Sequence, residues 1–279
     1  MSASDMWKLC CVKIGAATTI GQIVDEDYSD EIESLLAVDS ASQYARAVSV
    51  GLEDVRISFS TTAIKTALAK VGLAGVNLAD DNCVAYFAKF DAGGGLDANG
   101  CVTITLAKGV GLWRGLEAPD GALATASFEC IGVSSDGSTH PAVLATAQDL
   151  PTIATQEMYV AGGSSGIRSI SVDTGISPQL LHGDDDIFYT DAAVGAILPT
   201  VEYTQTDLPS ALGPATNLAA LTLQDCTAGG GRGSSPITLT LNEHMGNPSR
   251  LSGGEGMTTY QAVATYDGTN APIVLAGLS

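Results

Sequence analysis

The sequence predicts an all-β fold with a minor helical part, arranged as two tandem copies of one unit. Three observations predict it: short segments in which apolar and polar residues alternate, glycine-rich stretches between them, and a series of segments that recurs in the same order in both halves. The 279 residues suffice for two ordinary domains. The content of 45% hydrophobic and 15% charged residues excludes a disordered chain.

The recurrence is clearest near the end of each half. Residues 136–145 match residues 267–276, and six of these ten positions are identical. Weaker matches follow in the same order towards the N-terminus: residues 102–106 with 237–241, 92–95 with 228–231, 77–79 with 217–219, 57–68 with 201–212, and Val24-Asp25 with Val172-Asp173. The offset falls steadily from 148 to 131 residues, as expected if successive loops of the second copy were shortened.

These matches set the domain prediction. The first unit covers residues 1–147 and the second covers residues 157–279. Residues 148–156, which include Pro151, form a short linker. Each unit is long enough to bury a core of its own.

Apolar and polar residues alternate in four predicted strands, at residues 55–59, 102–106, 200–203 and 237–241. Residues 124–133 and 258–265 predict a further strand in each unit, which leads into a turn. There an Asp-Gly pair supplies the residue with positive φ. The segment that begins at Pro141 or Pro272 then forms the last strand of its unit.

One helix is predicted in each unit. In the first unit Thr61 or Thr62 caps a helix over Ala63–Lys70, and Gly72 ends it.

The corresponding helix at residues 206–213 is shorter, because Pro209 fits only a first turn. Residues 29–38 are expected to add another helical turn. Each unit is therefore expected to be a β-sandwich or half-barrel with one flanking helix.

The formal charge of −19 is shared between the halves, with −10 on residues 1–149 and −9 on residues 150–279. So acidic a chain repels phosphate, which argues against a protein that grips nucleic acid. The sequence shows neither a secretory signal nor an apolar run long enough to span a bilayer. The six cysteines are expected to be free thiols in a reducing compartment: Cys10, Cys11, Cys83, Cys101, Cys130 and Cys226.

The histidines and acidic clusters are weak candidates for a site. His140, His182 and His244 show no metal-ligand spacing and are expected at the surface. Residues 184–186 and 25–33 are acidic enough to bind a cation such as Ca²⁺, but the alternating loop pattern of a Ca²⁺ site is missing and solvated loops are expected. Trp7 and Trp113 do not recur, so packing is expected for both.

Two glycine-rich motifs are also expected to be structural. Gly162–Gly166 fits the Gly-x-Ser-x-Gly nucleophile pattern, but the following residues alternate like a strand, which favours a hairpin turn. Gly93–Gly95 and Gly229–Gly231 are not followed by Gly-Lys-Ser/Thr, which favours loops between strands over a phosphate-binding loop. We therefore expect no catalytic, cofactor-binding or metal-binding residues, and no enzyme.

The order of these segments resembles the tail tube proteins of long-tailed bacteriophages. The resemblance rests on the acidic N-terminal stretch, the strand at Val55–Phe59, the short helix, the Gly-rich loops and the closing Asp-Gly…Pro-x-Val-Leu-Ala segment, and it covers most of both copies. It implies that six units close into a ring whose inner sheets form one barrel. A chain with two fused units then forms a homotrimeric ring with pseudo-sixfold symmetry.

The resemblance also implies a place and partners. Stacked rings would form an acidic tube in the virion tail, assembled in the host cytoplasm, through which DNA passes without specific binding. Tail terminator, distal tail and tape measure proteins would be further partners, and no membrane is involved. The loops at Asp25–Val50 and Gly175–Val194 would reach the neighbouring ring.

Two other functions stay open at this point. A capsid decoration protein or a distal tail protein is also an acidic virion protein that a duplication could produce. A non-catalytic carbohydrate-binding β-sandwich module would present aromatic residues on one sheet face, and aromatic residues are only 5% of this chain.

Overall fold

The computed structural model describes the chain except for residues 1–6, 17, 38–45, 91–94, 97–99, 163–165, 207–219, 227–230, 243–244, 253–256 and 267, and it describes the backbone alone at residues 31–37, 46–51 and 245–252. This part of the chain holds twenty strands and one helix, so the all-β fold with a minor helix is confirmed. No helix within it is both long and apolar enough to cross a membrane.

The elements fall into two runs of ten strands. The first half is defined by these elements: β1 Trp7–Ile14, β2 Thr18–Ile20, β3 Ile23–Ala37, β4 Arg46–Thr61, α1 Ile64–Val71, β5 Val76–Asn77, β6 Cys83–Lys89, β7 Cys101–Leu106, β8 Gly109–Ala118, β9 Thr125–Gly132 and β10 Ala142–Gln148. The second half is defined by these: β11 Met158–Gly162, β12 Ile167–Asp173, β13 Pro178–Leu181, β14 Asp191–Val194, β15 Thr200–Gln205, β16 Leu221–Cys226, β17 Ile237–Leu241, β18 Met245–Ser252, β19 Met257–Val263 and β20 Ile273–Ala276.

A nine-stranded antiparallel sheet runs through both halves. Its order is β18-β19-β15-β12-β8-β9-β4-β3, with β5 paired to β8 beside this path. The halves meet where β8 pairs with β12, in a register that places Gly115 opposite Asp173 and Ala118 opposite Ile170. The backbone ladder therefore continues from one half into the other.

Each half adds a small sheet, and the two halves follow the same strand order. The small sheet of the first half runs β10-β7-β6-β1-β2, and that of the second runs β20-β17-β16-β11. Within the large sheet, β3-β4-β9-β8 corresponds in the same way to β12-β15-β19-β18. This common order agrees with the sequence matches. The boundaries at residues 147 and 157 stay a prediction, and residues 149–157 lie between β10 and β11 outside any strand.

One hydrophobic core joins the large sheet to the small sheets, and each half contributes a stacked aromatic pair to it. Phe59 lies opposite Phe128 across β4 and β9, with ring centroids 5.5 Å apart. Tyr203 lies opposite Tyr260 across β15 and β19, with centroids 4.9 Å apart. Such stacking adds about 0.5–1.5 kcal/mol to the free energy of burial. Equivalent strands of the two halves are thus held by equivalent contacts.

Helix α1 covers this core with one face, formed by Ile64, Ala67, Leu68 and Val71. It ends as predicted at Gly72, whose φ is 59°. The predicted cap is wrong, since the N-cap residue is Ala63. Thr61 instead donates to the Gly21 carbonyl, and Thr62 donates to the side chain of Gln22. Beyond Thr206, the helix predicted at 206–213 lies outside the described residues.

The helical turn predicted at residues 29–38 is wrong, because residues 29–37 belong to β3, while Val38 lies outside the described residues. The strand pairs with β4 from Ile23 opposite Thr61 to Ala37 opposite Arg46. These backbone hydrogen bonds outweigh the weak helical preference of the segment. The loop predicted at Asp25–Val50 is accordingly a long β-hairpin around the undescribed residues 38–45.

Two further turn predictions change in the structure. The strands on either side of Gly162–Gly166 do not pair as a hairpin, because β11 lies in a small sheet and β12 in the large one, while residues 163–165 lie outside the described residues. The strand predicted after it is confirmed as β12, so the helix that a nucleophile elbow requires is not there. The loop predicted at Gly175–Val194 contains the β13–β14 hairpin and returns to the first half, where the Ile187 N–H donates to the Gly137 carbonyl (2.8 Å).

The glycine that begins β8 provides a test of how closely β8 approaches β9. A Cβ on Gly109, whose φ is 133°, would lie 1.9 Å from the Ile131 carbonyl oxygen, whereas a Cβ on Gly121, whose φ is 73°, would meet nothing within 4 Å. We expect Gly109→Ala to lower the free energy of unfolding by about 3 kcal/mol or more through the clash. Gly121→Ala should cost about 1 kcal/mol from backbone strain alone. Equal losses in chemical denaturation would contradict this packing.

Candidate functional site

One face of the large sheet packs against the small sheets, and the opposite face is here called the open face. The open face is itself covered near the start of β8, where Leu112 and Ile131 are fully buried. Residues directly opposite one another in register share a face. One polar row of the open face crosses β8, β12, β15 and β19 and consists of Glu117, Ser171, Glu202 and Gln261. Ser171 donates to Glu117 (2.6 Å) and Gln261 donates to Glu202 (2.8 Å). The row thus bridges the junction between the two halves.

The open face carries exposed carboxylates in both halves. They are Asp25, Asp27, Glu117, Asp173 and Glu202. None of them forms an ion pair with another described residue. Their negative charge is therefore presented to whatever lies against this face.

Two arginines on the same face are held in a partly buried network. Arg56 donates to Asp54 (2.9 Å) and to Glu129 (2.7 Å), and Arg114 donates to the other oxygen of Glu129 (2.7 Å). Arg114 also donates to the carbonyl of Ile176, which lies beyond β12. The hydrogen bonds that Arg56 donates to Asp54 and Glu129 raise the pKa of Arg56 further above its usual value. The network ties β4, β9 and β8 to the second half and neutralises its arginines.

The large sheet ends in two strands that have a described partner on one side only, β3 and β18. Such edges expose unpaired backbone N–H and C=O groups. The two free edges correspond to the two edges that pair inside the chain. The free edge of β3 corresponds to the edge of β12 that pairs with β8, and the free edge of β18 corresponds to the edge of β8 that pairs with β12.

The register extends this correspondence to single residues. Both β8 and β18 carry a bulge against their neighbour, between Trp113 and Gly115 in one and between Pro248 and Arg250 in the other. Gly115 therefore corresponds to Arg250.

The register of β3 corrects one of the sequence matches. Ser60 corresponds to Thr204, because Phe59 matches Tyr203. Ser60 pairs with Asp25 and Thr204 pairs with Ser169, so Asp25 corresponds to Ser169. The weak match of Val24-Asp25 with Val172-Asp173 is wrong by four residues.

A second group of side chains meets on the core side of β3 and β4. His140 Nε2 lies 3.1 Å from Asp30 Oδ2 and 3.4 Å from Glu53 Oε1. The Glu53 side chain is only 9% exposed, and Tyr28 donates its hydroxyl to Asp30 Oδ2 (3.1 Å). His140 lies partly at the surface, with 38% of its side chain exposed, and it also contacts both carboxylates, which was not predicted. The three residues are too far apart in the sequence for spacing to reveal the cluster.

Local structure places His140 at this point. The Asp136 carboxylate accepts the N–H groups of Ser138 (3.0 Å) and Thr139 (2.7 Å), which holds the pKa of Asp136 well below its usual range. Gly137 supplies the positive φ predicted for the turn, 75°. This turn places His140 next to Asp30 of β3 and Glu53 of β4.

The two carboxylates of this cluster have opposite protonation tendencies. Burial, together with the hydrogen bond to Asp30, raises the pKa of Glu53 to about 7. Burial acts in the same direction on Asp30, but hydrogen bonds with Glu53, His140 and Tyr28 lower its pKa below the usual value. Below about pH 7 a proton on Glu53 can therefore bridge the two carboxylates.

The other candidate residues have structural surroundings or are undescribed. His182 is exposed, with Nδ1 2.9 Å from the Gly183 carbonyl oxygen, and Asp186 accepts the Gly183 N–H (2.5 Å) in the same loop. His244 and most of the two glycine runs lie outside the described residues. All six cysteines are free thiols.

The two tryptophans differ in their surroundings. Trp113 is fully buried and donates its indole N–H to the Gly115 carbonyl (2.8 Å). Trp7 is 44% exposed and lies beneath the Lys89 ammonium, 4.8 Å from the ring centroid. Neither residue belongs to the open face or to the carboxylate–histidine cluster.

We expect Glu129→Gln to lower the free energy of unfolding by about 2–3 kcal/mol, because it leaves two partly buried arginines with too little negative charge. Glu202→Gln is the matched control on the same face, since its carboxylate is exposed and accepts a hydrogen bond from the uncharged Gln261 rather than from an arginine. The control should change stability by less than about 0.5 kcal/mol. Urea denaturation of both variants measures the difference, and equal effects would contradict a structural role for the arginine network.

Comparison with protein-family models finds no match, and comparison with curated proteins finds no significant sequence relative. The functional argument therefore depends on the geometry of the open face and of its two edge strands.

Proposed function

We propose that this chain is a non-catalytic structural protein of a virion, which assembles into stacked trimeric rings and forms the tail tube of a long-tailed bacteriophage. One observation carries the proposal. The two halves join edge to edge through β8 and β12, and the chain retains one further edge of each kind in β18 and β3. The β18 edge of one chain can therefore pair with the β3 edge of a second chain, in the way that β8 pairs with β12 within one chain.

Repeating this junction generates a ring. A head-to-tail contact between unlike surfaces closes into a ring when its rotation permits. The resemblance implies six units, which three chains supply. Each chain contributes the eight strands from β18 to β3 of the large sheet, so a closed ring would contain twenty-four strands. Closed barrels of about 16–18 strands already leave an aqueous channel. Ring closure would also pair the exposed edges that otherwise invite aggregation.

The register of the β8–β12 junction predicts which residues of β3 and β18 would lie opposite one another between two chains. Ser171 lies opposite Glu117 and Asp173 lies opposite Gly115 at the internal junction. The corresponding pairs between chains are Asp27 opposite Ser252 and Ser29 opposite Arg250. This places the basic Arg250 of one chain beside the acidic β3 of the next.

The charge of the open face suits a DNA conduit. The small sheets lie on the other face, so the open face would line the lumen. Exposed carboxylates there repel phosphate, while the two arginines of this face are already neutralised by Asp54 and Glu129. DNA would slide past without binding. Tail terminator, distal tail and tape measure proteins belong to the same proposal as partners, with the virion tail as the location.

Disulfide cross-linking tests both the assembly and its register. In a background that carries Cys10→Ser and Cys226→Ser, the pair Asp27→Cys and Ser252→Cys should form intermolecular disulfides under mild oxidation. The Cα atoms of paired residues lie within the disulfide limit of about 7 Å. We expect a non-reducing gel to show covalent dimers and trimers, which reducing agent should convert to single chains.

A displaced pair provides the matched control. Asp27→Cys with Asn247→Cys moves one cysteine five residues along β18, about 17 Å away in an extended strand. It should cross-link at the background level of the single-cysteine variants. Equal cross-linking by both pairs would contradict the register, and no cross-linking by either would contradict the junction between chains.

A further inference from the structure

We propose that Asp30, Glu53 and His140 form a binding site for one divalent transition-metal ion of the Zn²⁺ class. One imidazole nitrogen and two carboxylates each offer a ligand atom, and these atoms all lie within 4.8 Å of one another. This inference does not depend on the proposed function, because the site is contained within one chain.

The distances suit a small metal ion. Zn²⁺ binds nitrogen and oxygen ligands at about 2.0–2.2 Å, which sets neighbouring ligand atoms roughly 3–3.5 Å apart. His140 Nε2 lies 3.1 Å from Asp30 Oδ2 and 3.4 Å from Glu53 Oε1. The ligand atoms therefore need little movement to close around an ion.

The histidine is oriented as a metal ligand should be. Its Nδ1 lies 3.0 Å from the Ala142 carbonyl oxygen and also 3.0 Å from the Ala142 nitrogen, so it can either donate to the carbonyl or accept the Ala142 N–H. Metal binding would select the first tautomer, in which a proton on Nδ1 leaves the Nε2 lone pair directed at the two carboxylates. A hydrogen bond from the second ring nitrogen to a backbone carbonyl is typical of metal-bound histidine. The edge of the Phe188 ring, with its centroid 5.2 Å from that of the imidazole, limits rotation on the other side.

The carboxylate pair also calls for a cation. Two carboxylates in contact, with one nearly buried, repel each other unless positive charge, from a proton or from a cation, lies between their oxygens. A metal ion supplies that charge and binds both oxygens. Asp30 reaches solvent, which leaves room for water as a further ligand.

The imidazole and the small number of protein ligands select the kind of metal. Ca²⁺ takes six to eight oxygen ligands, whereas imidazole favours Zn²⁺ and its neighbours. The second half offers no counterpart, since Thr174, Ile197 and Ala271 occupy the corresponding positions. Within the part of the chain that the structure describes, this is the one group of three such ligands close to one another, and it would fasten the turn at residues 136–140 to the β3–β4 hairpin.

Isothermal titration of the full chain with Zn²⁺ alone, in the Cys10→Ser and Cys226→Ser background, tests the site. We expect saturable binding of one ion per chain, and a rise in the thermal unfolding temperature on adding Zn²⁺. Asp30→Asn, which keeps the shape of a solvent-reaching side chain, should weaken binding roughly 100-fold, and His140→Ala should abolish it. Ca²⁺ should bind at least about tenfold more weakly than Zn²⁺.

His182→Ala is the matched control, because His182 is exposed and is not one of the three ligand residues. It should retain the affinity and the thermal shift of the background protein. The proposal is overturned if the background protein shows no saturable Zn²⁺ binding, in which case the carboxylates share only a proton. It is also overturned if Asp30→Asn and His140→Ala bind as tightly as His182→Ala. The titration uses the unassembled chain, so a failure of ring assembly leaves its result unaffected.

Discussion

The backbone ladder between β8 and β12 is the interaction on which the rest of the structure depends. A β-sheet edge has unpaired N–H and C=O groups, and the only ways to satisfy them are water, a cover or another strand. The chain satisfies two such edges by joining its halves, and this single contact fixes the head-to-tail order of the large sheet. Each half then needs its own small sheet on the apolar face, because both copies bury the same side. The remaining edges are left at opposite ends of one continuous surface.

Charge decides what that surface is able to do. The Glu129 carboxylate holds Arg56 and Arg114 in place, so the exposed charge of the open face comes from carboxylates. The acidic side chains of β3 also make indiscriminate pairing at that edge costly, since a like-charged strand would be repelled. Arg250 corresponds to Gly115, and it is the only basic residue of β18. The same distribution of charge that disfavours wrong partners thus suits a second copy of the chain.

Local patterns predicted much of the fold. Alternation at residues 102–106 and 237–241 identified β7 and β17, the Asp-Gly pairs identified turns with positive φ at Gly137 and Gly268, and Gly72 ended the helix. Strand β3 was not predicted, because its acidic sequence lacks the alternation of apolar residues that marks a strand. Its pairing with β4 depends on backbone hydrogen bonds rather than on an apolar face. The junction between the halves was not predictable either, since no local pattern records which edges meet. The cluster of Asp30, Glu53 and His140 was not predicted either, because its three residues are distant in sequence and occur in the first copy only.

Electron microscopy of the purified chain over a range of protein and salt concentrations tests the central claim most directly. The account predicts stacked rings or hollow tubes, with three chains in each ring, six similar lobes around a central channel, and alternation between the two kinds of lobe. Solid filaments, or closed dimers in which two identical edges meet about a twofold axis, would contradict it. Either of those forms would show that β3 and β18 do not pair with one another.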